Sequence, residues 1–197
     1  AMPVMAAEGE KAEKPAAAQA QEADKSGGNP YRTQIGTMAG ELAKSFNKEQ
    51  ALALAQIRNG FGMIRAVHLV EGDVSKAIAE CGKANPDMKG DMDARFEKWS
   101  ANINPLLKKS QSDMDVTLQT AGFPDNEKVK AYLDLIDKAA QYADSQIVKN
   151  VVTTPEACGG LLKSMDDTEP TMINLLQNIV WAPEKSESGE APADAAK

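Results

Sequence analysis

The chain has 197 residues, a formal net charge of −7 and only one histidine and two cysteines. The length favours one domain with one core. Its lysines and arginines are scattered and the middle of the chain is nearly neutral, which argues against nucleic acid as a partner. No apolar run reaches the length of about 18 residues that a bilayer requires, so we expect no transmembrane segment.

Both ends of the chain are predicted to be low-complexity, disordered tails, at residues 1–30 and 182–197. They are rich in alanine, charged residues and proline, and they carry too few large apolar groups to offset the entropy of ordering. The first seven residues, AMPVMAA, resemble the small-residue end of a signal peptide, although a cloning remnant would look the same. We therefore expect a periplasmic or secreted protein.

The middle, residues 31–181, is predicted to be one helical domain. Apolar residues recur every three or four positions from Tyr31 onward, and the pattern predicts a short first helix followed by four longer ones. Asn47 and Gln50 form a capping box for the second helix, and Asn85 and Pro86 are predicted to cap and open the third. No segment has the alternation of a strand; Val148, Val151 and Val152 come closest.

The connections between the four longer helices are short, so consecutive helices should be antiparallel neighbours. The predicted fold is all-α, an up-down-up-down four-helix bundle with an extra short N-terminal helix. This order places Cys81 and Cys158 at the same end of the bundle. It predicts a disulfide between them, against the alternative of two separate buried thiols.

His68 is the only histidine, which excludes metal sites built on two histidines. It follows Phe61 and Ile64 by seven and four residues, so we expect it in the core or at its boundary. Met88 and Met92, one turn apart, could bind Cu(I), but they continue the apolar stripe of their helix and are better explained as core residues. We expect no metal and no cofactor.

Two glycines, Gly60 and Gly62, interrupt the second helix, and Pro105 and Pro170 interrupt two others. Glycine inside a helix costs about 1 kcal/mol relative to alanine, so it often has a packing or functional reason. The interruptions fall near one level, and this level is predicted to be either a tight helix crossing or a ligand-binding cavity. The candidate ligand layer comprises Gly60, Phe61, Gly62, Ile64, His68, Leu106, Tyr132 and Ile173.

No acid, base and nucleophile converge in the pattern, so we expect no enzyme. The sequence favours a non-catalytic exported protein that acts as an accessory or interaction module with a protein partner. The alternative is a carrier of a small apolar ligand or a metal ion inside the bundle. We expect the isolated protein to be a monomer.

Overall fold

A computed structural model describes residues 28–181, and all regular secondary structure in this range is helical, with no strand. The described residues form five α-helices and one short 3₁₀ turn, so the predicted all-α class is confirmed. The tails predicted at residues 1–30 and 182–197 lie outside the described residues, except for residues 28–30. No helix in the described range combines the length and the apolar content that crossing a bilayer requires.

Helix α1 spans Arg32–Ser45 and helix α2 spans Lys48–Ala84. The predicted capping box is present between them: the Gln50 amide N–H donates to the Asn47 side chain, and the Gln50 side chain accepts from the Asn47 N–H. These bonds satisfy backbone donors that the first turn of a helix leaves unpaired.

A 3₁₀ turn at Pro86–Met88 leads from α2 into helix α3, which spans Lys89–Thr120. Asn85 and Pro86 occupy the predicted cap and first-turn positions of this 3₁₀ turn, but the Asn85 side chain makes no cap hydrogen bond. The side-chain amide points back instead and donates to the carbonyl of Cys81. At the other end of α3, Gly122 has a φ of 66°, a left-handed conformation that glycine adopts without steric cost.

Helix α4 spans Asn126–Ser145 and helix α5 spans Pro155–Gln177. Each has a side-chain cap at its start. Asp125 accepts a hydrogen bond from the Lys128 N–H, and Thr154 accepts one from the Ala157 N–H. Pro105 and Pro170 lie inside α3 and α5, and both helices continue through them.

Helices α2, α3 and α5 pack against one another. Helix α1 packs against α4, and α4 also makes a smaller contact with α2. Trp99, Ile57 and Ile103 are fully buried where these helices meet. Burying a large apolar side chain stabilises the fold by roughly 1.5–3 kcal/mol, so this shared core is the main source of stability. At one end, Phe46 and Phe123 stack with ring centroids 4.9 Å apart.

Cys81 and Cys158 form the predicted disulfide. It joins the last turn of α2 to the first turn of α5, with Cα atoms 5.8 Å apart, and both residues are fully buried. The described part of the chain has no free cysteine.

Candidate functional site

An open groove of about 590 Å³ lies next to the disulfide. One wall is α2, and the other is residues 149–152 of the segment that connects α4 to α5, which we call the α4–α5 segment (146–154). Leu161 of α5 completes the lining. The α2 residues recur at helical spacing and therefore share one face of the helix; they are Asp73, Val74, Lys76, Ala77 and Glu80.

Lys149 anchors the first half of the α4–α5 segment. Its ammonium group bonds to both carboxylate oxygens of Asp73 on α2, at 2.8 and 2.9 Å, and to Asp144 on α4 at 3.0 Å. These hydrogen bonds raise the pKa of Lys149, and the bond to Asp73 contributes more than the bond to Asp144. The bridge holds this wall of the groove against α2.

Asn85 anchors the second half of the segment. Its side-chain amide donates to the Thr153 carbonyl at 2.9 Å and lies 3.4 Å from the Sγ atom of Cys158. The neighbouring Val152 carbonyl oxygen is 3.3 Å from the Sγ atom of Cys81. The α4–α5 segment is therefore fixed at both ends, which makes the groove a preformed feature of the fold.

The α4–α5 segment also presents apolar side chains to solvent. Val148 is 88% exposed, Val151 is 68% exposed and Ile147 is 62% exposed. Single exposed apolar residues are normal on protein surfaces, but a cluster of them beside an apolar groove is typical of a binding surface. Val151 belongs to both the cluster and the groove lining.

The acidic groups on the α2 wall are engaged in ion pairs, while one lysine is not. Asp73 pairs with Lys149, and Glu80 pairs with Lys83 at 2.6 Å. Lys76 is exposed, lies between these two acids on the helix and forms no ion pair with any residue in the 28–181 range. The groove therefore has one unpaired positive charge at its rim.

The predicted ligand layer is divided between core and surface. Ile64 and Tyr132 are buried, and Phe61, Leu106 and Ile173 are partly buried and pack against the core. Gly60 is buried below the C-terminal end of the described chain: a Cβ atom there would lie 2.7 Å from Trp181 Cζ3 and 3.0 Å from Ile179 Cγ2. Gly60 is therefore tightly packed, whereas a Cβ atom at Gly62 would meet no described atom within 4 Å.

His68 lies on the surface, not in the core or at its boundary as its spacing predicted. Its side chain is 59% exposed, and Nδ1 is 3.8 Å from the Glu71 carboxylate. The buried residue at this level is its neighbour Val67, and one step along a helix turns a side chain by about 100°. The apolar stripe therefore passes beside His68.

Within residues 28–181, no group of three His, Cys, Asp or Glu side chains could hold a metal ion. Met92 is fully buried and Met88 packs against the core, as their core assignment predicts. The polar cluster of Arg95 with Asp166 and Glu169 joins α3 to α5 through ion pairs of 2.7 and 2.6 Å. Its geometry is that of an interhelical clamp.

Compared with protein-family models, curated proteins and solved structures, the chain matches none of them. The groove must therefore be interpreted from its own chemistry. Sequence reasoning missed it, because its lining comes from three parts of the chain that periodicity treats separately. The one available signal was the cluster of valines at Val148, Val151 and Val152, which stands out from the helical pattern.

Proposed function

We propose that the protein is a non-catalytic accessory or interaction module and that the groove with its rim of exposed valines is its docking surface for a protein partner. The observation that carries this proposal is the apolar cluster of Ile147, Val148 and Val151 on a segment that is anchored at both ends. A preorganised apolar surface binds with a smaller entropy cost than one that must order on contact.

The proposal includes export to an oxidising compartment. The supporting observation is the disulfide between Cys81 and Cys158, since disulfides persist in the periplasm or outside the cell and are rare in the cytosol.

We also propose that α2 to α5 run in the alternating up-down-up-down directions expected from the sequence, although α4 packs against α1 and α2 and not between α3 and α5. Gln50 at the start of α2 contacts Gly122 beyond the end of α3, as antiparallel helices would. The disulfide likewise joins the end of α2 to the start of α5. Arg95 contacts Asp166, and Ser110 contacts Leu176, as expected of parallel α3 and α5.

A second candidate function is the carriage of a small apolar ligand. The groove volume of about 590 Å³ favours it, because ligand pockets commonly measure about 300–1,000 Å³. The site would then be the groove and not the middle layer of the bundle.

Site-specific photo-crosslinking tests the docking surface. A photoreactive amino acid replaces Val151 in the full chain, which is produced in its source organism and irradiated in intact cells. Leu52, which is 59% exposed on the first turns of α2, is the matched control position. We expect a discrete protein adduct from position 151 and none from position 52.

The adduct at position 151 should disappear when Val148→Asp is added, because a carboxylate in an apolar contact loses its water without gaining a partner. The free energy of unfolding should not change, since Val148 is 88% exposed. Adducts of equal yield at positions 52 and 151 would contradict the proposal. Native mass spectrometry of the same preparation distinguishes the carrier function from docking, because a carrier should retain a bound small molecule.

A further inference from the structure

We infer that the partner element that occupies the groove is a short apolar peptide segment with an acidic residue, whose carboxylate pairs with Lys76. This inference rests on the proposed function and specifies the chemistry of the partner. It is carried by three features of the groove: the apolar surface beyond its lining, the unpaired backbone of one wall, and the unpaired charge at its rim.

The apolar surface extends beyond the groove itself. Val148 and Ile147 adjoin the lining residues in the chain but are not part of the lining, and both are strongly exposed. A small molecule confined to the groove would leave both side chains in water. A protein segment that enters the groove is long enough to continue onto these neighbouring residues, so the extent of the apolar surface favours a protein.

The backbone of the wall points to the same kind of partner. Within the described part of the chain, no hydrogen bond involves the backbone of residues 148–151. Backbone N–H and C=O groups that are covered without a hydrogen bond are costly, and an apolar small molecule offers them none. A peptide in an extended conformation can pair its own backbone with these groups, as in recognition by strand addition.

The charge at the rim selects among peptides. Covering the groove removes water from Lys76, and a desolvated ammonium group needs a carboxylate near it to avoid a large energetic cost. Asp73 and Glu80 are already engaged with Lys149 and Lys83. A carboxylate from the partner would supply the ion pair that Lys76 lacks among the described residues, and a partner with a lysine at this position is disfavoured by repulsion between like charges.

The test uses a displayed library of random twelve-residue linear peptides, selected on the full chain. Enriched peptides are synthesised with a fluorophore, and their dissociation constants are measured by fluorescence anisotropy. The groove is blocked with Ala77→Phe, which fills space in the lining, and separately with Val151→Asn, which removes apolar surface without adding charge. Circular dichroism verifies that each variant is folded.

We expect enriched peptides to combine aliphatic residues with an aspartate or glutamate and to lose binding to both groove variants. Lys76→Glu should weaken binding by about tenfold or more, because it replaces attraction by repulsion at the rim. Exchanging the peptide acid for lysine should restore binding to Lys76→Glu. Lys108→Glu is the matched control, since Lys108 is an exposed lysine of α3 without an ion pair in the 28–181 range.

Two results would contradict the inference in different ways. Peptides that bind the groove but lack an acid, and that bind Lys76→Glu as well as wild type, would overturn the carboxylate and leave the docking surface intact. The second result has two parts: none of the selected peptides loses binding to Ala77→Phe or Val151→Asn, and decanoate binds the wild type but neither variant. Together they would overturn both the peptide and the proposed docking function. They would favour the carrier instead.

Discussion

Gly60 and Gly62 are two residues apart on α2 but have opposite surroundings. The ring of Trp181 and the side chain of Ile179 cover Gly60 closely enough that a Cβ atom cannot be added without a shift. Gly62 faces open space. The first glycine is therefore needed for packing, whereas the second only weakens the helix.

We predict that Gly62→Ala raises the free energy of unfolding by about 0.5–1 kcal/mol, because alanine is the better helix former. Gly60→Ala has the same gain in helix propensity but displaces Trp181. We therefore expect Gly60→Ala to be less stable than Gly62→Ala by about 1 kcal/mol or more, through lost apolar burial. Urea unfolding followed by circular dichroism measures both values.

Acrylamide quenching of tryptophan fluorescence tests independently whether Trp181 is displaced from Gly60. Trp99 is fully buried and serves as a constant background, whereas Trp181 is partly buried. Quenching should increase in Gly60→Ala and stay unchanged in Gly62→Ala. Equal stability and equal quenching in the two variants would show that Trp181 does not pack on Gly60.

At the scale of the elements, α3 and α5 are joined by a clamp around Arg95. Its guanidinium group donates to Asp166 and Glu169, and Asn102 donates to the second oxygen of Glu169 at 2.6 Å. Burial acts to raise the pKa of Glu169, but the bonds from Asn102 and Arg95 outweigh it, so the pKa is lowered. The folded state therefore favours the ionised carboxylate.

A lowered pKa in the folded state contributes stability above the ordinary glutamate pKa of about 4.3, and this contribution is lost as the pH falls through the folded pKa. We predict that Glu169→Gln destabilises the protein at neutral pH. Its deficit relative to wild type should shrink as the pH falls from about 6 to about 3. Chemical unfolding across this range measures the deficit.

Asp167→Asn is the matched control for Glu169→Gln, because Asp167 is exposed and makes no ion pair with any other described residue. Its unfolding free energy should follow that of wild type at every pH. A deficit of Glu169→Gln that stays constant with pH would show that the carboxylate charge of Glu169 does not stabilise the clamp.

At the scale of the whole molecule, the disulfide closes a long covalent loop. Cys81 and Cys158 are 77 residues apart, and this loop contains all of α3 and α4. On the chain-entropy model, a crosslink over such a loop contributes up to about 4.5 kcal/mol by restricting the unfolded chain. The helical core is a separate source of stability.

We predict that the double variant Cys81→Ala, Cys158→Ala unfolds at a lower temperature but keeps a helical circular dichroism spectrum, because most of the apolar burial remains. Protein taken from its source should show no free thiol, and its mass should be lower by two hydrogens than that of the reduced chain. Labelling of both cysteines by a thiol-blocking reagent in that material would contradict the disulfide and the proposed export.

Local patterns in the sequence were enough to predict the helices. Apolar spacing and a capping box such as that of Asn47 and Gln50 act within one or two turns, so they are visible without the fold. The pairing of Cys81 with Cys158 followed from the predicted helix order together with the expected oxidising compartment. Spacing was less reliable at the edge of a stripe, where Val67 is buried and His68 is exposed.

The tertiary structure alone decided the groove, the difference between Gly60 and Gly62, and the clamp around Arg95. Each depends on residues roughly 70 to 120 positions apart, and periodicity says which face of a helix is apolar but not which distant side chain covers it. The exposed valines of the α4–α5 segment are the clearest case. Only the anchoring of that segment to α2 and to the disulfide turns them into a surface beside a groove.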